Sequence, residues 1–265
     1  MNRHSDQKVM SFGEHLEELR LRLIYALAGL VLVFIVCLFF RFSLFRLMWR
    51  PMERVLAARQ TGAAAGGPML TSRPVFTEPS SAFLTTIKVS FVAAFVIASP
   101  WVLYQMWAFI SAGLYPHERR YVYVLGPFSL LSFAAGVLFC YLLLMPIGLD
   151  FLIGQGSRMG ALAMIKVNSY FSFALTLMLV FGVAFQLPLV MMFLSKTGLV
   201  SIEAFRRRRR YAILVMVILA AVFTPPDVVT QLLLAGPLIL LYELGIIMSR
   251  VRLGASPAAE KEADS

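Results

Sequence analysis

Charged side chains are scarce in this chain, and their scarcity excludes most soluble folds. Asp, Glu, Lys and Arg make up only 14% of the 265 residues, whereas a soluble domain contains about 25%. Apolar residues make up 60%, and several uncharged apolar runs reach about 18 residues, the length of a membrane-spanning helix. The sequence therefore predicts an all-α polytopic membrane protein.

Cysteine and histidine are also few, which argues against a metal or redox centre. Cys37 and Cys140 both lie inside apolar runs, a placement that favours small buried thiols over a disulfide. His4, His15 and His117 do not have the spacing of metal ligands. The sequence therefore predicts no metal and no cofactor.

Catalytic and nucleic-acid-binding patterns are missing as well. The chain contains neither HExxH nor GxSxG, and no basic patch is interleaved with aromatic residues. We therefore expect neither an enzyme nor a nucleic-acid partner. A secondary solute transporter is the alternative function, but that class needs ionisable groups at mid-membrane and pairs of broken helices. No Asp or Glu lies in the middle of an apolar run.

Six apolar runs predict six transmembrane helices, with loops over residues 41–88 and 150–166 on one side. The spans are expected near residues 23–40, 89–114, 121–145, 168–194, 211–224 and 229–247, the fourth broken near Pro188. The last two spans are predicted to be short, since about 15 apolar residues rise about 22 Å against a hydrocarbon core of about 30 Å.

An amphipathic cytoplasmic helix is predicted over residues 1–22, and a disordered tail over residues 250–265. Ser11 and Glu14 have the spacing of a capping box, which starts a helix. Glu18 can reach Arg22 four residues further along the same helix. The first apolar run lacks a cleavage site, so we expect no cleavable signal peptide.

The distribution of Lys and Arg predicts that both termini are cytoplasmic. The segments on the side of the termini carry 15 of these residues and the opposite segments carry 9. The first outer loop is nevertheless rich in arginine: Arg41, Arg46, Arg50, Arg54, Arg59 and Arg73.

Several motifs occur in a fixed order along nearly the whole chain. They are HLEELRLRL at 15–23, YQMWAFISAGLYPHERR at 104–120, FGVAFQLP at 181–188, RRRYAILV at 208–215, TPPDVVTQ at 224–231 and LYE at 241–243. Together they resemble the TatC family, the multispanning receptor subunits of the twin-arginine protein translocase.

The resemblance implies a concave, glove-like bundle of six helices in the bacterial cytoplasmic membrane. It implies a receptor for twin-arginine signal peptides that works in several TatC copies, among membrane lipids, with single-span partners of the TatA and TatB types. Such a complex exports folded proteins with the proton-motive force and without ATP.

The resemblance also implies a signal-binding site formed by Glu18, Glu118 and Phe109. Arginine forks bind carboxylates in a bidentate manner, so a receptor for two arginines needs acids on its cytoplasmic face. Glu14 and Glu17 are possible auxiliary acids. Two alternatives remain for these residues: Glu118 can pair with Arg119, Arg120 or Arg22, and Phe109 can be an ordinary packing residue.

Gln186 is a polar residue at membrane depth, where many relatives have Glu. It can hydrogen-bond between helices or serve the transport mechanism, but it carries no proton.

The last two spans contain four further candidates. The resemblance implies that Thr224 and Gln231 help to dock a partner helix. Asp227 can instead cap the following helix, and Glu243 can pair with an arginine of the preceding loop. The run of arginines at 206–210 is interpreted as an anchor on anionic lipid.

Overall fold

The computed structural model describes residues 12–62, 78–115, 118–158, 165–224 and 227–250. Ser11 of the predicted capping box, most of the predicted flexible stretch at 62–68 and residues 251–265 of the predicted tail lie outside these ranges.

Within these ranges the chain forms ten α-helices and one π-helical turn. The helices are α1 (Phe12–Phe39), α2 (Arg41–Gly62), α3 (Pro79–Ala112), α4 (Arg119–Phe139), α5 (Met145–Arg158), α6 (Val167–Ala184), α7 (Leu187–Lys196), α8 (Ile202–Arg207), α9 (Arg209–Phe223) and α10 (Val228–Arg250). The π-helical turn, Cys140–Leu144, joins α4 to α5 without a break.

Five helical segments are long and apolar enough to cross a membrane, which confirms a polytopic membrane protein. They are Gly13–Phe39, Ser80–Ala112, Arg119–Gln155, Val167–Lys196 and Val228–Arg250. The remaining predicted span is α9, whose 15 residues rise only about 22 Å. Because α10 has 23 residues, only the fifth span is short, and the expectation of a short sixth span is wrong.

Residues 41–62 form a helix, so the prediction of a long loop over 41–88 is wrong for this segment. The buried face of α2 consists of Trp49, Met52, Val55 and Leu56, which recur at helical spacing. Pro51 lies inside the helix and lacks the N–H that would bond to the carbonyl of Leu47. The hydroxyl of Tyr141 donates to that carbonyl at 2.7 Å, and the hydroxyl of Tyr170 donates to Met48 O at 2.6 Å.

Two other predicted loop segments are helical. The third span continues through α5 to Arg158, and the second span begins at Pro79 rather than near residue 89. Arg59 of α2 pairs with Asp150 of α5, with Arg59 Nε 2.7 Å from Asp150 Oδ1. The Nζ atom of Lys88 donates to Asn168 Oδ1 at 3.3 Å and to Ser172 Oγ at 3.2 Å.

The core lies around α6, where Phe171 and Phe181 are completely buried. Glycines let α4 and α6 cross closely: a Cβ added at Gly136 would lie 2.5 Å from Phe181 O, and one added at Gly182 would lie 2.7 Å from Phe133 Cε2. Small residues at such crossings are typical of membrane helices.

In contrast to α6, α1 packs mainly against α3, and most of its apolar residues are exposed. Apolar side chains on its outer face include Leu16, Leu19 and Leu23. The apolar face of the predicted amphipathic N-terminal helix therefore points away from the bundle.

Candidate functional site

The start of α1 lies against the end of α3, and we call this part of the molecule the near end of the bundle. The ring of His15 stacks on the ring of Phe109, with centroids 4.6 Å apart and an interplanar angle of 20°. Gly113 follows on α3's last turn, where an added Cβ would lie 2.9 Å from His15 Cε1. A larger residue at 113 would therefore displace the His15 ring from its stack on Phe109.

Glu18 lies one turn after His15 and already binds a guanidinium. Arg22 Nε donates to Glu18 Oε1 at 2.7 Å, as the spacing of four residues predicts. Arg22 Nη1 also donates to Gln105 Oε1 of α3 at 3.2 Å, and Gln105 is buried. His15, Glu18 and Arg22 are half-buried, so the α1 face that meets α3 is polar at this end.

Glu118 lies at the same end, in the turn between α3 and α4. Its Oε2 atom accepts a hydrogen bond from Tyr115 N at 3.3 Å, which closes the turn. Among the described residues Glu118 has no ion pair, so the alternative pairing with Arg119, Arg120 or Arg22 is not seen. The structure thus brings α1 with Glu18, α3 with Phe109 and the turn with Glu118 together at the near end.

An open groove of about 500 Å³ lies beside these residues, between α1, α3 and α4. Its lining is mostly apolar and aromatic, with Arg22 at one margin and Tyr104, Trp107 and Tyr123 along its walls. Trp107 is fixed because its Nε1 donates to Ser129 Oγ at 2.8 Å. The near end therefore combines carboxylates with an adjacent apolar surface.

Gln186 lies at the break in the fourth span, between the end of α6 and the start of α7. Its Nε2 atom donates to the carbonyl oxygen of Ser129 in α4 at 2.7 Å. Ser132 Oγ donates to Phe185 O at 2.6 Å, so both residues at the break bond to α4. The predicted break near Pro188 is confirmed, and Gln186 forms a hydrogen bond between helices.

The polar residues between α9 and α10 bond within their own hairpin. Thr224 Oγ1 donates to Ala220 O at 2.8 Å, and Gln231 Nε2 donates to Val217 O at 3.3 Å. Asp227 Oδ1 accepts from Thr230 N at 2.7 Å, which confirms its predicted role as the N-cap of the following helix.

Glu243 pairs with an arginine that precedes the fifth span, as predicted. The Nη2 atom of Arg209 lies 2.7 Å from Glu243 Oε2, and both side chains are partly exposed. Tyr242 donates its hydroxyl to Phe205 O at 2.9 Å, which fixes α8 against α10. Glu243 is therefore occupied in a structural pair.

Two contacts at the near end escaped the sequence analysis. His15 belongs to the HLEELRLRL motif, but its stack on Phe109 joins residues that lie far apart in the sequence. The Arg22–Gln105 contact joins residues 83 positions apart, and nothing in the local sequence signals it. Within the ranges that the structure describes, His, Cys, Asp and Glu do not form a cluster suited to a metal ion.

Comparison with known proteins identifies the family. A family model described as Sec-independent protein translocase protein (TatC) matches residues 14–237. The TatC protein of Desulforapulum autotrophicum is 36% identical over 97% of this chain and 91% of its own length. The TatC protein of Escherichia coli K12 is 33% identical over 91% of this chain and 88% of its own length.

The fold agrees with these matches. A crystal structure of the twin-arginine translocase receptor TatC superposes with a TM-score of 0.77 at 34% identity, covering 89% of this chain and 98% of that chain. A second crystal structure of the receptor, in the detergent DDM, gives a TM-score of 0.78. The chain therefore belongs to the TatC family of Sec-independent protein translocase proteins.

Proposed function

We propose that this chain is the signal-receptor subunit of a twin-arginine translocase, with Glu18, Glu118 and Phe109 in its signal-binding site. The observation that carries the proposal is the stack of His15 on Phe109, which holds α1 against the end of α3. The turn that contains Glu118 follows directly. Membership of a translocase family supports a transport function over catalysis.

The pair of Glu18 with Arg22 supports the chemistry of this site. Because Glu18 accepts a guanidinium at 2.7 Å, its position suits an arginine fork. A signal arginine replaces Arg22 at Glu18, while Arg22 keeps its contact with Gln105. The exchange is inexpensive, since a partly exposed ion pair contributes about 0.2–1 kcal/mol.

The test is the affinity of a twin-arginine peptide for the detergent-solubilised chain. Glu18→Gln and Glu118→Gln should each weaken binding about 5–150-fold, which corresponds to roughly 1–3 kcal/mol for a charge-assisted hydrogen bond. Glu203→Gln is the matched control, because Glu203 is an exposed acid on α8 that is not part of the proposed site, and the affinity of this variant should stay within about twofold.

A change of peptide provides the second arm of this test. A Lys-Lys peptide should bind more weakly than an Arg-Arg peptide, because an ammonium group makes no planar bidentate contact. The site assignment is wrong if both single variants bind like wild type and the two peptides bind equally.

We further propose that the α9–α10 hairpin docks the transmembrane helix of a TatA- or TatB-type partner, in a complex with several TatC copies. Thr224 and Gln231 are half-buried, and their oxygen atoms remain available as acceptors. A photo-cross-linker at Val228, which is 69% exposed, should capture the partner in wild type and lose it when both polar residues are changed to Ala. Undiminished cross-linking in the double variant contradicts the docking site. The mass of the intact complex gives the number of copies.

Both termini are proposed to be cytoplasmic, with the near end of the bundle on that side of the bacterial inner membrane. The excess of Lys and Arg on this side supports the orientation. With Cys37 and Cys140 replaced, a cysteine at Ala65 should react from outside intact cells, and one at Ala258 only after permeabilisation. Both test positions lie outside the described residues. The reverse labelling pattern overturns the orientation.

Export is proposed to use the proton-motive force without ATP. Because the side chain of Gln186 does not ionise, we expect the proton to act through other groups. A protonophore should stop export into inverted membrane vesicles, while removal of ATP after cargo synthesis should not. Continued export with the protonophore refutes this energy source.

A further inference from the structure

The outward face of α2 carries a row of arginines that are not part of the proposed signal-binding site. Arg46, Arg50 and Arg54 recur every four residues, so they lie along one side of the helix, which we call the arginine ridge. All three side chains are exposed. Among the described residues none of them has an ion pair, whereas Arg59 of the same helix is paired with Asp150.

Contacts of α2 place the ridge at the level of the membrane boundary. The third span needs about 20 residues from Arg119 to cross the hydrocarbon core, which puts the boundary close to Tyr141. The hydroxyl of Tyr141 donates to Leu47 O, so the N-terminal half of α2 lies at the level of this boundary. Arg54 and Arg50 lie within electrostatic range of the same hydroxyl.

Exposed aromatic side chains mark the same boundary where α1 passes into α2. Phe39, Phe40 and Phe42 are 80%, 62% and 63% exposed, and the guanidinium of Arg41 lies 4.7 Å from the Phe42 ring centroid. Aromatic residues concentrate at the interface between the hydrocarbon core and the headgroups. The helix that follows is amphipathic: its apolar face is buried against the bundle, and its outer face is cationic.

We infer that the arginine ridge binds the phosphate groups of anionic phospholipids at the membrane surface opposite the near end. Guanidinium groups form bidentate hydrogen bonds with phosphate, and each cation near an anionic surface improves binding about fivefold. Glu53, the one acid in the sequence of α2, lies on this face and lowers its charge, so the ridge has a net charge of about +2. Such binding gives the arginines a role on the outer side of the membrane, where the positive-inside rule disfavours Lys and Arg.

The test measures which lipid lies beside the ridge. The full chain, with both native cysteines replaced, carries a fluorophore on Leu47→Cys and is reconstituted in phosphatidylcholine vesicles. Leu47 is exposed on the same face. Brominated phosphatidylglycerol or brominated phosphatidylcholine quenches the fluorophore on contact, and the ratio of quenching gives the relative binding constant of the two lipids.

Wild type should prefer phosphatidylglycerol by about five- to twentyfold at low salt, and the preference should fall at high salt. Changing Arg46, Arg50 and Arg54 together to Gln should reduce the ratio to about 1. Because these exposed side chains form no ion pair among the described residues, this variant should fold like wild type. A fluorophore on Leu131→Cys, on the lipid-facing side of α4, should report a ratio near 1 throughout.

A matched pair of single changes tests the sign of the effect. Glu53→Gln removes the acid on the ridge and should raise the ratio, whereas Glu203→Gln removes an exposed acid at the near end and should leave it unchanged. A wild-type ratio near 1 overturns the proposal, and it is the result expected if the ridge instead binds an acidic segment of another protein. An unchanged ratio in the triple variant also overturns it.

Discussion

Replacing Gly136 with Ala should destabilise the bundle, although the same change stabilises most helices. The added Cβ would lie 2.5 Å from Phe181 O and 2.8 Å from Phe185 Cγ. The carbonyl oxygen belongs to the backbone of α6 and has little freedom to move. The two helices must therefore separate by close to 1 Å, about the shortfall from an ordinary van der Waals contact.

Two losses and one gain determine the change in the free energy of unfolding. Overpacking of a buried site costs about 1–3 kcal/mol, whereas Ala gains up to about 1 kcal/mol over Gly in a helix. Separation of α4 from the fourth span also lengthens the bonds from Ser132 to Phe185 O and from Gln186 to Ser129 O, each worth about 0.5–1.5 kcal/mol. With the full gain from Ala and complete loss of both bonds, the free energy of unfolding should fall by about 1–5 kcal/mol.

The assay is thermal unfolding of the purified chain in detergent, followed by intrinsic tryptophan fluorescence. Gly236→Ala is the matched control, because an added Cβ in α10 would have no atom within 4 Å. We expect a clear fall in the unfolding midpoint for Gly136→Ala and no fall for Gly236→Ala. A Gly136→Ala protein that unfolds at or above the wild-type temperature would refute the reasoning from close packing.

Three further predictions concern the polar contacts. Gln186→Leu should impair export after signal binding, because Ser129 O loses its donor; full activity would show that the contact is unused. Gln186→Glu should be more active near pH 5 than near pH 8, since a protonated carboxyl can donate to that oxygen and a carboxylate repels it; equal activity at both pH values contradicts this. Asp227→Ala should lower the unfolding midpoint through loss of about 0.5–2 kcal/mol of capping, and Asp227→Asn should recover most of it; equal loss in both would exclude a capping role.

Most of the membrane-spanning architecture was predictable because long apolar runs are a strong local signal. The break in the fourth span was also predictable, since a proline in an apolar helix interrupts its hydrogen bonds. In contrast, α2 was missed because its arginines lower its hydropathy and Pro51 suggests a loop. The spacing of Phe45, Trp49, Met52 and Leu56 nevertheless contains the period of an amphipathic helix.

The candidate site was predictable only in part. The ion pair of Glu18 with Arg22 follows from spacing along one helix, and it is confirmed. The choice of Glu118 and Phe109 came from family resemblance, because long-range proximity is invisible in a single sequence. The contact of Arg22 with Gln105 and the stack of His15 on Phe109 depend on how α1 packs against α3, which no local pattern encodes.

The short length of α9 has a consequence for the nascent chain as it leaves the ribosome. A segment that rises about 22 Å is a poor stop for the insertion machinery, which recognises about 20 apolar residues. We expect α9 to enter the bilayer only together with α10, as one hairpin. The bonds of Thr224 and Asp227 satisfy polar groups beside its turn, which makes the hairpin a self-contained unit for insertion. A nascent chain whose synthesis has reached only Thr224 should therefore leave α9 outside the membrane. Insertion of α9 should follow once α10 has been synthesised.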